Sequence, residues 1–239
     1  MAAKGTAVET YEHLVRDLIA PRLRTKGFRR RGSRCFIREV LKNWQVVYFI
    51  AWWEPSPPKI VNFTVDLSIV SGQVYYFETG RVGLQRVPAL NDMQWQDRLG
   101  SFLPDRADRG AKDLWWSLDE QIEGTETTEE PLRTVRGFPV NRVRDLAQEI
   151  LGGLEQYAFP IMDRYTPDEA LRDLWLAGKC RGISDLQRLE YLAILLVAIG
   201  PAQEIDRVLG ELREKHREGR EPIIDRFIER IESLRNWKR

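Results

Sequence analysis

The chain has 239 residues, with 37 Lys and Arg against 36 Asp and Glu, so its formal net charge of +1 excludes a global charge excess that would draw it to nucleic acid or an anionic membrane. Hydrophobic residues make up 43% and include 8 Trp, enough for a sizeable core, while the two cysteines, Cys35 and Cys180, exclude a disulfide framework although one bridge stays open. The N-terminus lacks the apolar stretch of a secretory signal and the longest strongly apolar run, Tyr191–Ile199, is too short to span a bilayer, so a soluble cytoplasmic protein is expected.

In chain order, Val8, Tyr11, Leu14, Val15, Leu18 and Ile19 recur at three and four spacing and predict a helix over 8–26. Pro21 would kink it unless a second helix starts there, and Gly27 is placed to end it. Residues 34–40 predict a first strand. Residues 44–53 predict a stronger one, apolar on both faces, as expected of a central strand covered on both sides. The prolines of 54–58 stop that ladder. Val61, Phe63, Val65, Leu67 and Ile69 then alternate with polar residues, predicting a strand with one buried face. Val74–Phe77 is expected to add a fourth strand. Short connections imply antiparallel pairing.

Residues 80–112, rich in Gly, Pro, Asp and Arg, read as irregular, and order resumes over Asp113–Ile122 around Trp115-Trp116. The acidic stretch 119–130 reads as an exposed loop. From Asn141 the pattern is helical. Thr166-Pro167-Asp168-Glu169 reads as a helix start with Thr166 as N-cap, and Ser184 to Gln187 has capping-box spacing. Residues 186–199 are apolar on most sides, which predicts a helix central to a bundle. Amphipathic helices are expected at 202–217 and 222–236, the last with a stripe of Ile224, Phe227, Ile228, Ile231 and Leu234 near Trp237. That stripe suits packing within the bundle, a homodimer seam or a helix-in-groove contact.

Charge is uneven locally. Residues 22–38 carry eight basic side chains and no acid, and residues 119–130 carry six acids and no base. The turn Gly27-Phe28-Arg29-Arg30-Arg31-Gly32, the strand Gln45–Phe49 and the strand Val61–Leu67 follow one another in order. Arg81-Val82-Gly83, Asp113-Leu114-Trp115-Trp116 and Tyr157-Ala158-Phe159-Pro160 come later. In this order they resemble the bacterial proteins called domain of unknown function 4304, over roughly residues 9–165. The chain departs from that pattern in the long 84–112 segment and in Trp52-Trp53, where polar residues are expected. The resemblance implies an α+β fold and no particular activity. By analogy, similar small α+β proteins neighbour bacterial toxins as immunity partners.

Catalytic and metal patterns are absent from the sequence. His13 and His216 have no second ligand type at metal spacing, and neither CxxC nor HExxH occurs. Gly178-Lys179-Cys180 lacks the rest of a phosphate loop, and no cofactor motif is found, so no cofactor is expected. Asp105 with Asp108, and Glu129 with Glu130, read as solvated carboxylates rather than acid–base pairs. Cys35, inside an apolar strand, reads as inert packing.

The binding candidates are Arg29, Arg30, Arg31 and Arg34, which could contact phosphates while Trp52, Trp53 or Phe36 stack on bases. The competing account is a solvated turn that keeps a hydrophobic hairpin soluble or pairs with the 119–130 acids. Arg81 and Asp113 are expected to pair across a cleft beside Trp115 and Trp116.

The sequence therefore predicts an α+β domain over 1–165, with an antiparallel sheet of three to five strands covered on one face by the N-terminal helix and the helix near 141–156. A helical extension follows over 166–239. The leading function is non-enzymatic protein recognition of the immunity or regulatory kind. Nucleic-acid binding through 29–34 is the first alternative. The second is an enzyme or small-molecule binder with a Trp- and Tyr-lined pocket between sheet and helices. No membrane partner is expected.

Overall fold

The computed structural model describes residues 6–53, 59–84, 86–89, 92–104, 113–215 and 222–237. The expectations for Glu54–Pro58, Asp105, Asp108 and His216, and for the side chain of Trp237, lie outside the described residues. The fold is α+β, and its contacts form two compact units built from interleaved segments. Unit 1 takes residues 1–39, 45–68 and 97–163, and unit 2 takes 40–44, 69–96 and 164–239. The C-terminal helices thus share their unit with two earlier segments.

Among the described residues the sheet has eight strands, more than the three to five expected. They are β1 (Arg29–Arg31), β2 (Cys35–Val40), β3 (Asn43–Trp52), β4 (Ile60–Val70), β5 (Trp95–Arg98), β6 (Asp113–Asp119), β7 (Glu126–Glu129) and β8 (Arg133–Pro139). The order across the sheet is β1-β2-β3-β4-β6-β8-β7, with β5 off this path on β4. β3 is central and its first half is buried on both faces, as its sequence predicts.

Pairing is antiparallel for β1 with β2, β4 with β6, and β7 with β8, but β6 and β8 run parallel. The chain achieves this by passing from β6 out to β7 at the edge and folding back into the gap. Residues 120–132 supply the length that a parallel crossover needs.

In unit 1, helix α1 (Ala7–His13) starts on a Thr6–Glu9 capping box and runs through a π-helical turn, Leu14–Ile19, into α2 (Ala20–Thr25). The π turn answers the Pro21 problem. Ala20 N–H reaches back five residues to Val15 O, and a new α-helical segment begins with Pro21 in its first turn, where a missing N–H costs little. The same device recurs. Helix α4 (Val143–Gly153) passes through a π turn, Leu154–Ala158, into α5 (Phe159–Tyr165), with Pro160 again second in the new segment. α4 packs on the first π turn, and Arg22 ties to Glu155 at 2.5 Å.

These helices cover one face of the sheet. Phe63 on β4 stacks on Trp116 of β6 at 6.1 Å, Tyr11 of α1 packs on Phe63 at 5.2 Å, and Trp116 Nε1 donates to Glu149 of α4 at 2.8 Å.

Unit 2 contains α3 (Gly72–Thr79), α6 (Asp168–Leu176), α7 (Asp185–Ile199), α8 (Ala202–Lys215) and α9 (Pro222–Trp237). The α7 helix is the hub expected of 186–199. It begins on the Ser184–Gln187 capping box, is buried over most of its length and packs on α3, α6, α8 and α9. Ile224, Ile228 and Ile231 of α9 are buried, and Phe227 meets Phe77 edge-on at 5.8 Å, so the terminal stripe packs within the unit.

Four expectations are corrected. Val74–Phe77 is helical, because Ser71 caps the Val74 N–H and Gly80 closes α3 in a left-handed conformation. The stretch 80–112 contains β5 and a 3₁₀ turn, Leu99–Phe102. The acidic stretch holds the exposed edge strand β7. Thr166 is fully buried, and Pro167 takes the N-cap position of α6.

One polar cluster in unit 2 surrounds Asp168. Its carboxylate accepts from Asn43 Nδ2 at 2.9 Å and from Ser71 Oγ at 2.7 Å. Asn43 also donates to Thr166 O and accepts from Gly72 N–H, so every element entering this junction is tied to one amide.

Candidate functional site

The basic segment 22–38 divides into arginines tied inward and arginines left outward. Arg22 pairs with Glu155. Arg38 donates to Gln45 Oε1, to Lys26 O and to Asp163 at 2.5 Å, and lies over the Phe28 ring at 4.9 Å. The acids that neutralise this stretch therefore come from α4–α5, rather than from 119–130. Arg24, Arg29, Arg30 and Arg31 are left exposed, and the last three form β1 rather than a turn.

Gly27 and Gly32 bracket β1 with φ of 86° and 71°, a region that other residues adopt reluctantly, so the chain can reverse on both sides of three residues. Lys26, Gly27 and Phe28 N–H groups close the preceding helix on Leu23 and Arg24 carbonyls. β1 pairs with β2 on one side, with Arg30 opposite Phe36, and it ends the strand order on the other. All three arginines are exposed. Arg30 Nη2 donates to Ser33 O at 2.8 Å, which holds the turn into β2.

Arg34 follows this turn. Its guanidinium lies 4.6 Å from the Trp53 ring centroid and 5.4 Å from that of Tyr11, whose ring is 6.4 Å from Trp53. Burial pushes the Tyr11 phenol well above its ordinary range, and among the described residues its Oη has no hydrogen-bond partner. The structure thus brings together Arg34 and Trp53, two residues singled out from sequence, on the helix-covered side. Trp52, one residue earlier and pointing the other way, is 56% exposed.

At the opposite edge of the same sheet, β7 carries Glu126 and Glu129 and is exposed throughout. The sheet therefore ends in a basic strand on one side and an acidic strand on the other.

Trp115 and Trp116 divide as alternation requires. Trp116 is fully buried, and its Nε1 partner Glu149 is also held by Arg136 at 2.8 Å. Trp115 is half-buried on the other face, with Arg133 and Arg98 guanidinium groups 5.3 Å and 5.7 Å from its centroid. The arginine that meets Asp113 is Arg98, which also pairs with Asp66 at 3.2 Å, and Asp113 accepts from Trp115 Nε1 at 2.8 Å. This corrects the expected Arg81–Asp113 pair. Arg81 belongs to unit 2, where its N–H donates to Thr79 Oγ1. Arg133 is neutralised by Glu130 through two hydrogen bonds. In the Trp115 cluster each arginine meets an acid, Arg98 with Asp66 and Asp113 and Arg133 with Glu130.

Cys35 is buried and its thiol is pushed up to about 12 by desolvation, against a weaker pull from Arg31, so it stays protonated near neutrality. His13 is exposed and sits 2.9 Å from Asp17. Among the described residues no group of three or more His, Cys, Asp or Glu side chains could hold a metal ion, and no helix is long and apolar enough to cross a membrane.

A recess of about 340 Å³ lies within unit 2, between α3, α7 and α9. It is aromatic through Tyr76 and Phe77 and, among the described residues, is lined by no Trp, so it differs in position and lining from the pocket expected between sheet and helices. Comparisons with protein-family models, curated proteins and solved structures found no match.

Proposed function

We propose that the chain is a non-enzymatic protein-recognition module, acting in the cytoplasm as an immunity or regulatory partner. The immunity role is an analogy with similar small α+β proteins that neighbour bacterial toxins, since the resemblance to domain of unknown function 4304 itself implies no particular activity. The recognition element in this reading is β1. One observation carries it: three consecutive arginines stand exposed on a strand that ends the sheet, while nearby Arg22 and Arg38 are paired with Glu155 and Asp163. An end strand presents unpaired N–H and C=O groups along its free side, and an extended segment of a partner can add there as a further strand. The three positive charges select an acidic segment and steer its approach. Arg34 on Trp53 and Tyr11 stiffens the ground behind the strand.

Nucleic-acid binding is the second reading, favoured by the exposed Trp52 ring as a stacking surface and by arginines as phosphate contacts. The test compares wild type with Arg29→Glu/Arg30→Glu/Arg31→Glu, both checked for a native circular dichroism spectrum. The protein-recognition reading expects a stoichiometric partner on wild type, absent from the folded variant. Equal capture by both proteins would remove β1 from the account.

A further inference from the structure

Unit 2 carries a feature that the β1 reading leaves unused. The recess between α3, α7 and α9 is lined by Tyr76, Phe77, Ile194, Ala198 and Leu234, with Gln73 and Arg230 as its polar lining. Its 340 Å³ is room for a ligand of roughly ten non-hydrogen atoms, at about 30 Å³ for each water-sized group. Among the described residues no carboxylate lines it.

Arg230 is held in place there. Its guanidinium lies 3.9 Å from the Phe77 ring centroid, and Nη2 donates to the Phe77 carbonyl. A planar guanidinium carries five N–H donors, so this anchoring leaves others for an acceptor. Glu78, which Arg230 feels electrostatically, is pushed up to about 7 by desolvation and by Asp92 and Glu190, so near neutrality it compensates Arg230 only in part. An apolar recess with one oriented cation is complementary to a short apolar body ending in an anion.

We propose that this recess is a binding site for a small amphiphilic carboxylate, with its chain among Phe77, Ile194 and Ala198 and its head on Arg230. A neutral analogue of the same length fills the same space but forgoes the charge-assisted hydrogen bond, which amounts to about tenfold in affinity. The site is independent of β1.

The test is a methyl NMR titration of the full chain with octanoate, and separately with 1-octanol. Shifts centred on the Ile194, Val197 and Ala198 methyls are expected for both, with octanoate binding about tenfold more tightly. Arg230→Met should bring the two ligands to parity while 1-octanol still binds. Gln73→Trp, at an exposed position that tolerates a large ring, should block both. Shifts centred elsewhere, no shift at millimolar octanoate, or parity of the two ligands on wild type would each overturn the proposal.

Discussion

The guanidinium of Arg34 rests 4.6 Å from the ring centroid of Trp53, joining the start of β2 to the residue that follows β3. A partly desolvated cation over an indole face is worth about 0.5–1 kcal/mol. A double-mutant cycle with Arg34→Met and Trp53→Leu should return a coupling energy of that size by urea denaturation. A coupling of zero would mean that the contact does not stiffen the ground behind β1.

Beneath that pair, Tyr11 buries a hydroxyl with no partner among the described residues. Removing an unsatisfied group relieves its desolvation cost, so Tyr11→Phe should leave stability unchanged within about 0.5 kcal/mol, or raise it. A loss of more than 1 kcal/mol, on the order of one buried hydrogen bond, would show that the hydroxyl is bonded in solution.

The β2–β3 turn places Leu41 and Lys42 at φ of 53° and 67°, and Leu41 is 72% exposed. Both residues occupy the left-handed region that a two-residue hairpin demands and that Asn-Gly satisfies better. Leu41→Asn/Lys42→Gly should therefore raise the melting temperature by about 2–4 °C, as expected for roughly 1 kcal/mol in a chain of this size. An unchanged or lower value would show that the strain is offset by contacts the substitution removes.

Asn43 has the opposite character, since its amide satisfies Thr166 O, Asp168 and Gly72 N–H at once. Asn43→Ala strands several buried polar groups and should cost about 2–3 kcal/mol in chemical denaturation. A cost below 0.5 kcal/mol, the range of an ordinary surface substitution, would count against the junction as a structural tie.

Glu78 gives a pH signature with a definite sign. Its carboxyl is pushed up to about 7 from an ordinary 4.5, by desolvation first and then by Asp92 and Glu190, although the residue as a whole is exposed. The folded state therefore binds more protons than the unfolded state between those values, and stability attributable to Glu78 falls as pH rises through that window. The melting temperature of Glu78→Gln minus that of wild type should climb from pH 4.5 to pH 7. A flat difference would contradict the shifted carboxyl.

Much of the fold is legible in the sequence where one periodicity dominates. The two-sided apolarity of 44–53, the alternation of 61–69 and the all-round apolar 186–199 became β3, β4 and the hub helix, although β4 is not one-sided as expected, since Thr64 and Ser68 on its polar face are buried too. Val74–Phe77 misled because a short apolar run fits strand and helix equally, and the deciding signals were the flanking cap Ser71 and the left-handed Gly80. β5, β7 and β8 carry charged, irregular sequences such as Trp95-Gln96-Asp97-Arg98, and owe their state to neighbours distant in the chain. The Arg98–Asp113 pair was illegible for that reason, since Arg98 acquires its position only when β5 forms on β4. The Arg29–Arg31 run was visible as charge, but its place on the sheet edge depends on Gly27 and Gly32 both turning left-handed.

The measurement that bears most directly on β1 as a protein-recognition edge is capture of the tagged protein from its native lysate with and without nuclease, read by mass spectrometry and by absorbance at 260 nm. The account predicts a stoichiometric protein that survives nuclease and is lost with Arg29→Glu/Arg30→Glu/Arg31→Glu. Bound material that absorbs at 260 nm and disappears with nuclease would contradict it and assign the arginines to phosphate.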